Sequence, residues 1–185
     1  MSTLKVNNLQ DLGADAVVTN GVIDPGAITS LNASALPTGS IVQVVNTSKT
    51  DAFTTTSTSY VDVTGLSATI TPTSASNKIL VLMSIAFGNS GNGGNASIGQ
   101  VVRDATAIGN NATGRSFSMV TVDTGGNRAV ETKTVAILDE PATTSATTYK
   151  VQVFAVSGTT ATVNRAGNSS TVTSVSNITL MEVTA

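Results

Sequence analysis

The sequence predicts an all-β protein, an antiparallel β-sandwich of jelly-roll-like type preceded by an extended N-terminal arm. Three observations lead to this prediction. Short segments rich in Val, Ile and Thr recur from residue 39 to the C-terminus. Clusters of Gly, Asn, Asp and Pro separate these segments at intervals of about 8–15 residues, as in sandwiches and jelly rolls. No segment has the apolar spacing of a long amphipathic helix.

The strand predictions rest on β-propensity and alternation. Leu66, Ala68 and Ile70 alternate with Ser or Thr, which is the period of a half-buried strand. Residues 78–87 are nearly continuously apolar and predict a central core strand, and Gly88–Asn95 is predicted to be a loop. The predicted strands are residues 41–45, 53–58, 60–63, 66–70, 78–87, 101–103, 117–122, 130–138, 149–155, 161–165 and 178–183.

Residues 1–38 differ from the rest of the chain, and we predict a boundary between this arm and a sandwich domain of residues 39–185. Turn residues at Asn20–Gly21 and Asp24–Gly26 interrupt any regular element in the arm. A hydrophobic extended segment needs a surface on which to dock. The apolar side chains that we expect to anchor it are Leu4, Val6, Leu9, Leu12, Val17 and Val18.

Composition restricts the class of partner. Only 11% of the residues are charged, the formal net charge is −2, and the nine Lys and Arg residues are scattered singly. Nucleic-acid binding needs clustered cations, so it is not expected. No run of about 18 apolar residues is present and the first residues lack the apolar core of a signal peptide, so we expect no membrane insertion and synthesis in a host cytoplasm. Aromatic residues make up 3% of the chain, and so light a core favours self-association.

The sequence argues against an enzyme and against a cofactor. It contains no His and no Cys, which removes imidazole- and thiolate-based nucleophiles and zinc sites. Glycosidases need two carboxylates across a cleft. The adjacent pair Asp139–Glu140 precedes Pro141 in a predicted solvated turn, and neighbours on a strand point to opposite faces. We therefore predict no catalytic residue.

Two loops have features of ligand sites and are better explained as turns. Asp123–Asn127 offers oxygen ligands for a weak Ca²⁺ site but lacks the spaced carboxylates of an EF-hand, so a structural turn is the preferred interpretation. Gly88–Asn95 lacks the Lys-Ser/Thr of a phosphate loop. For sugar stacking, Tyr60 and Tyr149 are the tyrosines available, and we expect both to pack in the core or at its rim.

Several segments resemble virion proteins of tailed phages, especially those of marine and cyanobacterial type. The segments that carry the resemblance are Met1–Gln10, Gly39–Val45, Thr64–Pro72, Ser76–Leu82, Thr147–Val151 and Ile178–Val183. They look like a module of tail-fibre and virion-surface proteins, and they cover most of the chain in order. The resemblance implies that the arm attaches to the particle and that the β domain projects outward as a homotrimer.

The predicted function is therefore that of a phage structural protein located in the virion. The chain lacks the shaft of a long tail fibre, so a compact knob, a head fibre and a capsid-decorating cement protein remain comparably open. The alternative is a receptor- or glycan-binding tail-fibre tip, whose ligand would be a host surface glycan and whose binding would survive removal of residues 1–38. A glycan hydrolase and a bacterial adhesin or pilus subunit are disfavoured, the first by the absence of a convincing acidic pair and the second by the missing signal peptide.

Overall fold

The computed structural model of the chain describes residues 18–19, 22–23, 36–90, 96–120, 130–156, 158–167, 169, 171 and 173–185. The chain divides into two compact units, Met1–Pro37 and Thr38–Ala185. In the first unit, β1 (Val18–Thr19) pairs antiparallel with β2 (Val22–Ile23). Of the predicted anchoring residues, Val18 lies in β1, and the other five lie outside the described residues.

The second unit consists of β-strands joined by turns and loops, and its described residues contain no helix. Its strands are β3 (Ile41–Lys49), β4 (Phe53–Thr55), β5 (Val61–Ile70), β6 (Lys78–Ser90), β7 (Ala96–Arg103), β8 (Thr106–Ile108), β9 (Phe117–Val120), β10 (Val130–Asp139), β11 (Thr147–Ala155), β12 (Thr160–Val163) and β13 (Ser176–Val183). All the strand pairs are antiparallel.

The strands form two sheets. The first sheet has the order β3-β13-β6-β12-β4, with β10 on the other side of β6. The second sheet has the order β5-β11-β7-β8, with β9 also paired to β7. Strands β13 and β12 follow one another along one edge of β6, and β8 and β9 follow one another along one edge of β7. Each sheet is therefore four strand positions wide.

This arrangement is a jelly roll. When β3 with β4, β8 with β9, and β12 with β13 are each counted as one interrupted strand, the described residues of the second unit have eight strand positions. Their order is 1-8-3-6 in the first sheet and 2-7-4-5 in the second. Two four-stranded antiparallel sheets connected in this way are the jelly-roll form of the sandwich. The predicted fold class is confirmed.

The core lies between the two sheets and follows from alternation along the strands. In β11 every second residue, from Thr147 to Ala155, is buried, and in β13 the same holds from Ser176 to Glu182. The largest apolar side chains in this core are aliphatic apart from Tyr149, Phe87 and Phe117. Gly99 on β7 admits the Phe117 ring, because a Cβ at this position would overlap the ring atoms.

Some strand bounds differ from the prediction. Strand β6 continues to Ser90, three residues into the predicted loop Gly88–Asn95, because residues 87–90 pair with β12. The rest of that predicted loop, residues 91–95, lies outside the described residues. Strand β3 continues to Lys49 because its whole length pairs with β13.

The chain enters and leaves the second unit at one end of the sandwich, which we name the terminal end. The Gly39 N–H donates to the Thr184 carbonyl at 2.9 Å, and the Thr184 N–H donates to the Ser40 carbonyl at 3.0 Å. The turns at residues 71–77 and 140–146 lie at the same end, since they connect the sheets next to the start of β6 and the start of β11. Strands β4 and β12, which pair with each other beside the end of β6, lie at the opposite end.

Candidate functional site

The outer face of the first sheet has a band of apolar side chains, which we name the apolar row: Val44, Met181, Leu80 and Leu138. The strand register places these four residues side by side, one on each of β3, β13, β6 and β10. Val44 is 56% exposed and Leu138 is 55% exposed, while the two central members are half-buried. Single exposed apolar residues are common on protein surfaces, but a continuous row across a whole sheet indicates a contact surface.

More apolar side chains widen this row. Leu82 lies beyond Leu80 along β6, and Val183 pairs with Ile41 next to the terminal end. Ile41 is 54% exposed. The predicted core strand β6 is thus central, but Leu80 and Leu82 point away from the core while their neighbours point into it. This is why its sequence is almost continuously apolar rather than alternating.

The charges closest to the apolar row are paired within the same chain. The Lys78 ammonium lies 2.7 Å from Glu140 Oε1, beside the end of the row. The hydrogen bond from Lys78 lowers the pKa of the Glu140 carboxyl below its ordinary value. This pair therefore leaves no unpaired charge at residues 78 and 140, next to the row.

The outer face of the second sheet carries instead a line of polar side chains, which we name the polar shelf: Asp62, Gln152, Gln100 and Asn110. Gln152 Nε2 donates to Asp62 Oδ1 at 2.7 Å, and Gln100 Nε2 donates to Gln152 Oε1 at 2.8 Å. Asn110 Nδ2 in turn donates to Gln100 Oε1 at 3.3 Å. These bonds run across β5, β11 and β7, roughly perpendicular to the strands.

Both ends of the polar shelf are held by further contacts. At one end Lys150 Nζ donates to Asp62 Oδ2 at 2.8 Å. The hydrogen bonds from Lys150 and Gln152 lower the pKa of the Asp62 carboxyl, so Asp62 is ionised at neutral pH. At the other end Ser116 Oγ donates to Asn110 Oδ1 at 2.6 Å. The shelf is fixed in position and its one carboxylate is neutralised by Lys150.

The loop that supplies Asn110 and Ser116 is itself ordered by hydrogen bonds. Asn111 Oδ1 accepts from the Thr113 N–H at 2.9 Å, from the Thr113 hydroxyl at 2.8 Å and from the Arg115 N–H at 3.2 Å. Asx-type bonds of this kind stabilise tight turns. The loop therefore presents Asn110 in one position relative to Gln100.

An aromatic pair lies beside the polar shelf. Phe154 follows Gln152 by two residues on β11 and so points to the same face. The Tyr60 ring packs edge-to-face on Phe154 with ring centroids 4.9 Å apart, and its hydroxyl donates to the Gly114 carbonyl at 3.0 Å. Burial raises the pKa of the Tyr60 phenol. Ile98, which pairs with Phe154 in the sheet register, is buried although it points to the outer face.

Two carboxylates at the terminal end, one buried and one largely covered, form a contrasting kind of site. Glu182 is fully buried, and its Oε1 accepts from the Thr73 N–H at 2.7 Å, from the Thr73 hydroxyl at 2.8 Å and from Asn77 Nδ2 at 2.7 Å. The Asn77 side chain also accepts from the Ala185 N–H at 3.3 Å. Glu182 therefore ties the turn at residues 71–77 to the last strand.

Asp139 joins the two sheets. Arg103 Nη1 donates to its two carboxylate oxygens at 2.9 and 2.8 Å, and the Tyr149 hydroxyl donates to Asp139 Oδ2 at 2.7 Å. Asp139 comes from the first sheet, whereas Arg103 and Tyr149 come from the second. The hydrogen bond to Asp139 raises the pKa of Arg103, and burial raises the pKa of Tyr149.

The expectation that Asp139 and Glu140 both lie in a solvated turn is wrong for Asp139, whose side chain is 10% exposed. The Asp139 carboxylate lies inward because it accepts hydrogen bonds there from Tyr149 and Arg103. Glu140 is exposed and pairs with Lys78. The two carboxylates have separate partners and do not meet at one substrate position.

The remaining predicted sites are the loop at residues 123–127 and the two tyrosines. Residues 123–127, the weak Ca²⁺ candidate, lie outside the described residues. Within the described ranges there is no cluster of three or more His, Cys, Asp or Glu side chains placed to hold a metal ion. The part of the chain that the structure describes contains no helix that could span a membrane. Tyr149 lies in the core and Tyr60 at its rim, as expected.

Sequence reasoning missed both outer surfaces. The alternation of Lys150, Gln152 and Phe154 in β11 does indicate one shared face. It does not reveal that Gln100 and Asn110 lie next to that face. The register between strands that are far apart in the sequence cannot be predicted from a single segment.

Comparisons with known proteins find similarity to solved structures. No protein-family model matches it, and no curated protein matches its sequence. Among solved structures, it is similar to the crystal structure of the infectious bursal disease virus VP2 subviral particle at 14% identity and a TM-score of 0.38, covering 77% of this chain and 38% of that one. The structure of infectious bursal disease virus strain Gx gives 14% identity, a TM-score of 0.37, and 77% and 37% coverage. This chain thus spans less than two fifths of the length of either.

Proposed function

We propose that this chain is a structural protein of the outer surface of a phage particle, a fibre or capsid-decoration module. It attaches through residues 1–38 and associates with copies of itself as a trimer. The observation that carries the proposal is the apolar row, which an isolated domain would leave against water. Burying exposed apolar surface against another copy is the main favourable contribution to such an association.

The composition of the apolar row favours a second copy as its partner. Lys78 is already paired with Glu140, so a neighbouring copy can cover the row without burying an unpaired charge. In a closed trimer each copy uses the row against a different surface of its neighbour, since a heterologous contact that closes forms a ring. The number of copies, three, is what the resemblance to phage virion proteins implies.

The proposed attachment is supported by the position of the chain ends. Residue 38 enters the sandwich at the terminal end, beside Ala185, where the Thr38 hydroxyl donates to the Ala185 carbonyl at 3.1 Å. The loops on either side of β4 lie at the opposite end. Attachment from the terminal end would therefore direct these loops away from the particle. Whether the protein is located on the capsid or on the tail depends on which virion protein residues 1–38 bind.

Light scattering on the purified full chain tests the self-association. We expect a mass three times that of the single chain, 18.6 kDa. Introducing charge at the two exposed ends of the row, in a Val44→Lys and Leu138→Lys double variant, should dissociate the trimer because the new ammonium groups would have to be desolvated.

Thr134→Lys is the matched control for this experiment. Thr134 lies on β10, on the same outer face as Leu138 and four residues away, and it is exposed. The control should keep the wild-type mass. A monomeric wild-type chain, or a double variant that stays trimeric, would refute association through the apolar row. A variant without residues 1–38 should still have the native mass of three of its chains. It should no longer be incorporated into particles.

The alternative function, a receptor- or glycan-binding fibre tip, requires a ligand surface on the second unit that works without residues 1–38. The polar shelf with its aromatic pair is the described surface that has the required chemistry.

A further inference from the structure

We propose that the polar shelf and the aromatic pair Tyr60–Phe154 together form an oligosaccharide-binding surface on the outer face of the second sheet. This inference gives the alternative function a site and a ligand class. Its residues are distinct from the apolar row, because the shelf and the row lie on opposite faces of the sandwich.

The first argument is the hydrogen-bonding capacity left on the shelf. An amide side chain offers two N–H donors and two acceptor lone pairs. Along the shelf, Gln152 and Gln100 each use one donor and one lone pair to bond their neighbours. Each therefore retains one N–H and one lone pair. A sugar hydroxyl is both donor and acceptor, so adjacent hydroxyls of one ring match this repeating pair of groups.

The second argument is that the shelf is held in position before any ligand arrives. Lys150 fixes Asp62 at one end, and Ser116 fixes Asn110 at the other. Side chains that are already ordered lose little conformational entropy on binding, and this favours weak ligands such as sugars. Flexible surface glutamines would have to be ordered at each binding event.

The third argument is the aromatic pair at one side of the shelf. The C–H face of a pyranose ring is apolar and packs against aromatic rings, while its hydroxyls bond planar polar groups. Phe154 is two residues from Gln152, a separation of about 7 Å along the strand. This distance accommodates one sugar ring between the aromatic pair and the shelf. Both aromatic residues are half-buried, so the sandwich leaves part of each exposed.

The size of the shelf sets the length of the ligand. Neighbouring strands are about 4.8 Å apart, so Asp62, Gln152 and Gln100 span roughly 10 Å across three strands. That length corresponds to two sugar units. Because Lys150 neutralises Asp62, a neutral oligosaccharide is expected rather than an acidic one.

The test uses the full chain and a printed panel of neutral oligosaccharides built from hexose, 6-deoxyhexose and N-acetylhexosamine units. The tightest panel member is then titrated by calorimetry. We expect binding to at least one member, and Gln152→Leu should weaken it about tenfold, because a hydrogen-bonding group is replaced by an apolar one of similar size. Gln100→Leu should weaken binding to a similar extent. The conclusion then does not depend on a single variant, which could bind weakly because it folds poorly.

Thr148→Val is the matched control, since Thr148 lies on the same strand and the same face but outside the shelf. It should bind within about twofold of wild type, a difference of less than about half a kcal/mol. The Val44→Lys and Leu138→Lys variant should also retain binding per chain, so failure of the trimer and failure of the sugar site are distinguishable. No binding to any panel member, or binding that both glutamine variants leave unchanged, would overturn the proposal.

Discussion

The buried carboxylates at the terminal end and the polar shelf are built from similar side chains and differ in their surroundings. Glu182 is buried inside the sandwich and Asp139 is largely covered at its end, and several donors converge on each carboxylate. Asp62 lies on an outer face, and its neighbours form an open line in which the glutamines keep unused groups. Buried polar groups must be satisfied by the protein, whereas exposed ones can exchange their partners with water or ligand.

This difference separates the polar contacts that stabilise the fold from those that are available for binding a ligand. A donor left unpaired in the interior costs free energy because water cannot replace the lost acceptor. A donor on the shelf is hydrated as soon as its partner is removed. Substitutions of the buried carboxylates should therefore reduce stability, and substitutions on the shelf should reduce ligand binding instead.

The largest effect is expected for Glu182→Ala. The variant removes the acceptor of three donors from Thr73 and Asn77 and leaves a cavity in the core. We expect a loss of about 3–5 kcal/mol in the free energy of unfolding, measured by denaturant titration at a fixed chain concentration. Glu182→Gln keeps one oxygen that can accept these bonds, so its loss should be about 1–2 kcal/mol.

Glu140→Gln provides the comparison for Glu182→Gln, since Glu140 lies at the same end but is exposed. It should change the free energy of unfolding by less than Glu182→Gln does. Equal effects for the two variants, or a negligible effect of Glu182→Ala, would mean that burial does not distinguish the interior site from the surface.

A smaller effect is expected for Tyr149→Phe, which removes the hydroxyl that donates to Asp139 and leaves the Arg103 contact in place. The acceptor is charged, so the expected loss is about 1–3 kcal/mol at neutral pH. Burial holds the pKa of Tyr149 above its ordinary value of 10.0. The unfolded chain therefore loses this proton near pH 10 while the folded chain keeps it, and the contribution of Tyr149 to stability falls as the pH rises above about 10.

The measurement is the difference between wild type and Tyr149→Phe in the free energy of unfolding, taken at about pH 8 and about pH 11. Tyr60 is present in both proteins, so the difference isolates Tyr149. It should shrink by on the order of 1 kcal/mol at the higher pH. A difference that stays constant would show that the Tyr149 phenol titrates equally in both states and is not held by its buried contact with Asp139.

Local sequence predicts much of the fold and little of the two polar networks. Alternation in residues 66–70 and 149–155 identified the strands and their inner faces, and the same rule places Glu182 on the inner face of β13. Its partners Thr73 and Asn77 are 109 and 105 positions away in the chain. The shelf likewise needs the register of three strands from separate parts of the sequence. Long-range register depends on the packing of the whole sheet, which no single segment encodes.

The smallest stability effect is expected on the shelf, for Asp62→Asn. Solvent screens the contact with Lys150, because Asp62 is 52% exposed, and such pairs contribute at most about 1 kcal/mol. The pKa of Asp62 is lowered by Lys150 and Gln152, so its contribution is present above the ordinary value of 3.8 and disappears as the pH falls through the lower folded value. The difference between wild type and Asp62→Asn should therefore vanish in acid.

A double-mutant cycle with Lys150→Gln measures this contact directly. We expect a coupling below about 1 kcal/mol, together with weakened binding to the panel oligosaccharide, because an uncharged amide in place of the Asp62 carboxylate would hold Gln152 less firmly. A coupling above about 2 kcal/mol would exceed what solvent-exposed pairs supply. The shelf would then be a rigid part of the fold like the buried carboxylates, and the distinction between a network that stabilises the sandwich and one that is free to bind a ligand would fail.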